Sequence, residues 1–107
     1  MPMPTRKDFR IDRCDDCLRI TRIDTDGDLH THVHSRNLAE TIINNVCSEK
    51  IPLHSHSRTL VSMKRLSNNK DYIKKIDELL NVRKQKVVNK TISILALRSL
   101  FSCEKSY

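Results

Sequence analysis

The sequence predicts an α+β fold in which a small N-terminal β-hairpin packs on three or four helices. Apolar and polar residues alternate between residues 9 and 34, which is typical of strands with one buried face. From residue 38 onward the apolar residues recur every three or four positions, which is typical of amphipathic helices. The chain has only one glycine and three prolines, too few for the many tight turns of an all-β fold.

The chain of 107 residues is long enough for one small domain and short for two. Residues 1–8 are polar and contain proline, which predicts a flexible arm. Residues 9–107 then form a single domain, with residues 9–34 in the β-hairpin and residues 35–107 in the helices. Two phenylalanines, two tyrosines and no tryptophan indicate a small aliphatic core, which a bound metal or a partner subunit would stabilise.

Two turn signals predict the strands of the hairpin. Two short strand-like segments meet at Cys14 and Cys17, and a third alternating segment follows Asp26-Gly27. An Asp-Gly pair is a strong signal for a two-residue hairpin loop, because both residues tolerate a positive φ. Such a loop would place Arg19 opposite His34 in the neighbouring strand.

The first predicted helix follows the hairpin. Ser35 or Asn37 can cap it, since both side chains accept hydrogen bonds from the free N–H groups of a first helical turn. This helix should end before Pro52, because the residue preceding a proline avoids the α conformation.

Further helices are predicted in the second half of the chain. One covers residues 57–66, and another begins near residue 67 and has a clear apolar stripe up to residue 80. A break is expected within residues 81–90, which are basic and carry few apolar side chains. Residues 91–101 are apolar nearly all round, which suits a helix buried against the rest of the chain or against a second copy.

The Cys-His spacing near the N-terminus is a candidate metal motif. Cys14 and Cys17 are separated by two residues, Cys17 and His30 by twelve, and His30 and His34 by three. This spacing, over residues 14–34 only, resembles that of the two-cysteine, two-histidine zinc finger. The resemblance implies a structural zinc site in which the two histidines lie one helical turn apart.

The strand predicted for the histidines gives a different ligand set. Four residues of a strand span about 13 Å, so one ion cannot bind both His30 and His34. The predicted register instead brings His34 closest to the cysteines, or His32 if the register slips. The sequence therefore predicts a zinc knuckle of Cys14, Cys17 and one of these two histidines. The candidates for a fourth ligand are His54, His56 and Cys47.

The same residues have other interpretations. A Cys-x-x-Cys pair can be a redox dithiol or two ordinary thiols, and alternating histidines can be the solvated face of an edge strand. Cys47 and Cys103 also fit small buried side chains. A four-ligand zinc site is structural, whereas three ligands and an open position suit a metal-dependent hydrolase. A chain this short leaves little room for a substrate pocket, so the sequence favours binding without catalysis.

The charge of the chain indicates its class of partner. The formal charge of +7, from 20 basic and 13 acidic residues, favours nucleic acid, an acidic protein surface or an anionic membrane. A basic solvated surface with no such partner is the alternative. Basic residues concentrate on the second and third helices, where they would form a phosphate-contacting face. These candidate nucleic-acid-binding residues are Arg58, Lys64, Arg65, Lys74, Lys75, Arg83, Lys84 and Lys86.

The predicted location is the cytoplasm, or the nucleus in a eukaryotic cell, and not the secretory pathway. Residues 1–10 lack the apolar centre of a signal peptide. No apolar run reaches the roughly 18 residues of a membrane span. The cysteines are expected to be reduced, which favours metal ligands or buried thiols over disulfides.

Together these patterns predict a small, basic, zinc-stabilised binding protein that acts on nucleic acid or in transcription-associated regulation. The alternative is a non-catalytic protein-interaction or inhibitor module, which docks or forms a homodimer through residues 91–101.

Overall fold

The fold is α+β, as predicted, in a computed structural model that describes residues 3–25 and 27–85. Over these residues the chain forms a three-stranded antiparallel sheet and three α-helices. A third helix, α3, is described over residues 70–85, so the predicted break does not occur before residue 85. The other elements are a 3-10 turn (Arg6–Asp8), the strands β1 (Phe9–Cys14), β2 (Cys17–Arg22) and β3 (His30–Val33), and the helices α1 (Arg36–Ser48) and α2 (Ser57–Leu66).

The sheet, α1 and α2 belong to one compact unit, Met1–Ile76, and a second unit comprises Asp77–Tyr107. Lys86 and the predicted interface of residues 91–101 lie outside the described residues. Among the helices that are described, none combines the length and the apolar character needed to cross a membrane.

The sheet has the order β1-β2-β3, and the register between β2 and β3 differs from the prediction. The predicted two-residue loop would have placed Arg19 opposite His34. The connection instead extends from residue 23 to residue 29, and Arg19 lies opposite His32. The predicted register is therefore wrong by two residues, which leaves each side chain on its expected face but changes its neighbours.

Arg22, the last residue of β2, is buried and makes several polar contacts. Its side chain is only 3% exposed, and its guanidinium donates to the Asp24 carboxylate at 2.6 and 3.2 Å. The same group donates to the carbonyl oxygen of Leu66 at 3.0 Å and lies over the Phe9 ring, 5.6 Å from its centroid. These contacts between distant parts of the chain hold residues 22–24 against the helices.

The core lies between one face of the sheet, which we call the inner face, and the helices. Phe9, Ile20 and Val33 on the inner face are at most 4% exposed. The opposite, outer face carries polar side chains, among them the exposed Arg19 and His32. The helices bury their predicted apolar stripes against the inner face or one another. Their buried apolar residues are Ala39, Ile42, Ile43, Val46, Leu60, Met63, Leu66, Tyr72 and Ile76.

Side-chain hydrogen bonds fix the start of α1. Of the two predicted caps, Ser35 is the N-cap, and its hydroxyl accepts the backbone N–H of Leu38 at 3.0 Å. Asn37 lies inside the helix. Arg6, which belongs to the predicted flexible arm, donates to the Glu40 carboxylate of α1 at 2.9 and 3.0 Å.

Candidate metal centre

The hairpin of β1 and β2 brings the two N-terminal cysteines together. Cys14 and Cys17 are register partners on either side of the two-residue turn Asp15-Asp16. Asp15 has a φ of 36°, a left-handed conformation that aspartate tolerates better than most residues. Partners directly opposite each other point to the same face of a sheet, and the two Sγ atoms lie 2.8 Å apart. The two-residue turn therefore accounts for the short distance between the two thiols.

His32 of β3 provides a third donor on the outer face. It lies opposite Arg19, which is two residues from Cys17 and therefore on the same face of β2. Its Nδ1 is 3.4 Å from the Sγ of Cys14 and 3.5 Å from the Sγ of Cys17. All three donor atoms lie within 4.8 Å of one another, with half-buried thiols and an exposed imidazole. This grouping could hold a metal ion.

The distances can be compared with those that zinc requires. Bonds of about 2.3 Å to sulfur and about 2.0 Å to nitrogen in a tetrahedron place S and N about 3.5 Å apart and two sulfurs about 3.8 Å apart. The two S···N distances of 3.4 and 3.5 Å match this requirement. The S···S distance of 2.8 Å would have to widen by about 1 Å, which small side-chain rotations can provide.

The Cys17 thiol is held in its protonated form near neutral pH. The hydrogen bond between the two thiols favours the protonated form of Cys17 and raises the pKa of Cys17 to about 11. A thiol with so high a pKa is a poor nucleophile near neutral pH, in contrast to the low-pKa cysteine of a redox dithiol. A metal ion would displace this proton, because it binds the thiolate.

The other histidines near the motif do not join the group. His30 lies at the far end of β3, where its Nδ1 is 3.3 Å from the carbonyl oxygen of Asp28 and its ring makes an edge contact with that of His32. Because residues 30–33 form a strand, His30 and His34 are not one helical turn apart as in a zinc finger. His34 follows β3 directly and lines one cavity together with Cys17.

The candidates for a fourth ligand farther along the chain also lie apart from the group. His54 and His56 are exposed in the connector before α2, where His56 is the N-cap residue. Cys47 is half-buried in α1, and burial raises the pKa of its thiol. Across residues 3–25 and 27–85, Cys14, Cys17 and His32 form the one cluster of such side chains close enough to share an ion.

The predicted nucleic-acid-binding residues lie on α2 and α3. Arg58 and Arg65 are exposed on α2, and Lys64 between them is half-buried. On α3, Lys74 and Lys75 are exposed, as is Lys84, while Arg83 is half-buried. The α2 cations have no acidic neighbour within that helix, so α2 carries the more uniformly basic surface.

The structure has a cavity beside β3 that the sequence did not predict. It has a volume of about 430 Å³ and lies between the end of β3, the start of α1 and one side of α2. Arg58 and Arg65 line it. The sequence predicted these two residues as phosphate contacts, but it did not predict the cavity. A cavity depends on how the elements pack, and no local pattern in the sequence signals it.

Comparison of the chain with protein-family models, with curated proteins and with solved structures found no match. The likeness to a zinc finger is therefore one of spacing, and the functional argument rests on the residues themselves.

Proposed function

We propose that the protein is a non-catalytic binding module in which Cys14, Cys17 and His32 hold a zinc ion. The observation that carries this proposal is the pair of S···N distances, 3.4 and 3.5 Å, on a face of the sheet that solvent reaches. Two thiols and one imidazole form a donor set that suits zinc, whereas Ca²⁺ and Mg²⁺ prefer oxygen ligands.

For the fourth ligand we propose His34. Residues two apart on a strand share a face and lie about 6.6 Å apart, so two imidazoles at that spacing can converge on one ion. Extension of the observed register by one pair would place His34 opposite Cys17, and both residues line the same cavity. Four protein ligands make a closed site that stabilises the fold and leaves no position for a substrate.

For the partner of the module we propose nucleic acid. The formal charge of +7 and the basic surface of α2 support this proposal, because cationic side chains bind phosphates and release counterions. Binding to heparin or DNA should weaken steeply as salt is raised. A partner protein whose binding tolerates salt would instead support the interaction-module alternative.

Elemental analysis of the purified protein tests the metal site. We expect about one zinc per chain in the wild type and in Cys47→Ser, because Cys47 lies outside the cluster. Cys17→Ser should lose the zinc, and so should His32→Ala. Wild-type protein that folds without binding added zinc would contradict the proposal, and so would a Cys17→Ser protein that keeps it.

The same analysis with His34→Ala tests the fourth ligand, with His54→Ala as the matched control. Loss of one ligand typically weakens zinc binding strongly, so a competing chelator should remove the ion from His34→Ala at a lower concentration. Equal chelator resistance of the two variants would leave the three-residue site and exclude His34.

A further inference from the structure

The cavity between β3 and α2 has the features of a ligand site beside the metal centre, and His32 and His34 line it. Its volume of about 430 Å³ falls within the range of about 300–1,000 Å³ that is usual for small-molecule sites. Leu38, Val61 and Val33 give it an apolar wall, and no aspartate or glutamate lines it. Two other cavities of the described chain differ in this respect, since Asp15 and Asp16 line one and Glu49 and Asp71 the other.

Two arginines stand at opposite ends of this cavity. Arg58 and Arg65 are seven residues apart on α2, about 10.5 Å along the helix axis, and both line the cavity. Both are exposed, and no carboxylate of the described residues pairs with either of them. A guanidinium with no internal partner binds phosphate well, because its planar N–H groups match two phosphate oxygens at once.

A buried hydroxyl lies between the two arginines. Ser62 is 8% exposed and lines the cavity, and its oxygen accepts the hydroxyl hydrogen of Thr31 at 3.1 Å. The Ser62 hydroxyl also carries a hydrogen that it can donate. Such a donor beside an apolar wall suits a flat heterocycle that carries hydrogen-bond acceptors.

From these three features we infer that the cavity binds a phosphorylated nucleoside, with the phosphate at the Arg65 end and the base against Val61, within reach of the Ser62 hydroxyl. A purely apolar ligand would leave both guanidinium groups unused, and inorganic phosphate would leave the apolar wall empty. The ligand is either a free nucleotide or one nucleotide of a single strand. If the ligand is one nucleotide of a single strand, the inference rests on the proposed nucleic-acid partner. That nucleotide is then the part of the strand that enters the cavity.

Calorimetric titration of the zinc-loaded full chain tests this site with a nucleoside monophosphate, the unphosphorylated nucleoside and inorganic phosphate. We expect the monophosphate to bind at least about tenfold more tightly than either fragment, since each fragment lacks one set of contacts. Arg65→Ala should weaken its binding by about tenfold, because a hydrogen bond to a charged group is lost. Lys70→Ala, which removes one exposed charge outside the cavity, should leave its binding unchanged.

A second variant separates the cavity from general charge effects. Val61→Phe keeps every charge but fills the apolar wall, so it should abolish binding of the monophosphate while the melting temperature confirms a folded protein. Binding that survives Val61→Phe would overturn the cavity site, and equal binding of monophosphate and inorganic phosphate would overturn the nucleoside assignment.

Short single-stranded oligonucleotides and duplexes then identify the source of the ligand. Binding of single strands that Val61→Phe and Arg65→Ala both weaken would place a nucleotide of a strand in the cavity. If oligonucleotides bind with no effect of Val61→Phe and mononucleotides do not bind, the cavity inference fails and the nucleic-acid partner remains. If mononucleotides bind and oligonucleotides do not, the partner proposal fails and the cavity site remains.

Discussion

The tripeptide Arg-Ile-Asp occurs twice in the N-terminal region, and its two copies have opposite environments. Arg22 at residues 22–24 has a side chain only 3% exposed, while Arg10 at residues 10–12 has one that is 58% exposed. Each arginine nevertheless donates to the aspartate two residues later. Arg22 lies on the inner face and donates to Leu66 of α2, whereas Arg10 lies on the outer face among polar neighbours. Identical local sequence thus serves the core on one face and the solvent on the other.

This difference extends to the whole sheet. The inner face packs against the helices and supplies stability, and the outer face carries the three donors of the candidate metal centre. Because alternate residues of the same strands serve the two faces, changes on one face should leave the other intact. The following predictions test that separation.

Loss of an inner-face side chain should have the largest effect. Ile20 is fully buried, so Ile20→Ala removes packed atoms and leaves a cavity, which should lower the free energy of unfolding by about 2–5 kcal/mol. Cys17→Ala on the outer face of the same strand should change it by about 1 kcal/mol or less in metal-free protein. Urea unfolding measures both values. Equal losses would show that the two faces are not separate.

Zinc should stabilise the wild type through the outer face. Free zinc at 100 times its Kd should raise the free energy of unfolding by about 2.7 kcal/mol, because the ion binds only the folded arrangement of the ligands. Cys17→Ser should show no such increase while it still unfolds cooperatively from its inner-face core. A Cys17→Ser protein that is unfolded without metal would mean that the fold depends on the ion, as in small zinc fingers.

Removal of the Asp24 charge should destabilise the inner face. Asp24→Asn leaves the buried Arg22 guanidinium without its carboxylate, which should cost about 1.5–3 kcal/mol at pH 7. The Arg22 hydrogen bond holds the pKa of Asp24 below its usual value in the folded protein. The contribution of the pair is therefore complete above the unfolded pKa of about 3.9 and is lost as the pH falls through the lower folded pKa.

Unfolding measured from pH 7 down to pH 2 checks this dependence. The difference in free energy of unfolding between wild type and Asp24→Asn should be constant above about pH 4 and should become smaller below it. A difference that grew as the pH fell would contradict the assignment.

The matching change on the outer face should have the smallest effect. Asp12→Asn breaks the exposed pair with Arg10, whose side chains are 58% and 38% exposed, and solvent screens such pairs. The expected loss is about 0.5 kcal/mol or less, with little dependence on pH. Urea unfolding beside Asp24→Asn provides the comparison, and equal losses would show that burial does not distinguish the two copies.

The local features of the fold could be predicted from the sequence. Strands meeting at Cys14 and Cys17, the Ser35 cap and the apolar stripes of the helices all depend on neighbours within a few residues, and the structure confirms them. The pairing of the cysteines followed from the same short-range geometry.

The register of β3 could not be predicted in this way. The two strands are joined over residues 23–29 and not by a two-residue loop, and the local turn signal did not give that length. The shift by two residues brought His32 opposite Arg19, with its Nδ1 3.4 Å from the Sγ of Cys14. The cavity beside α2 was also missed, since it forms only when β3 and α2 pack.

The two-residue turn between Cys14 and Cys17 has a consequence for the rate at which an ion could enter and leave. The thiols are neighbours because of the hairpin, so capture of a metal would require side-chain rotations and loss of protons, and no refolding of the chain. Rotations of exposed side chains take picoseconds to nanoseconds, far less than folding. Exchange at this site would then follow the chemistry of the metal–ligand bonds, without passage through an unfolded state.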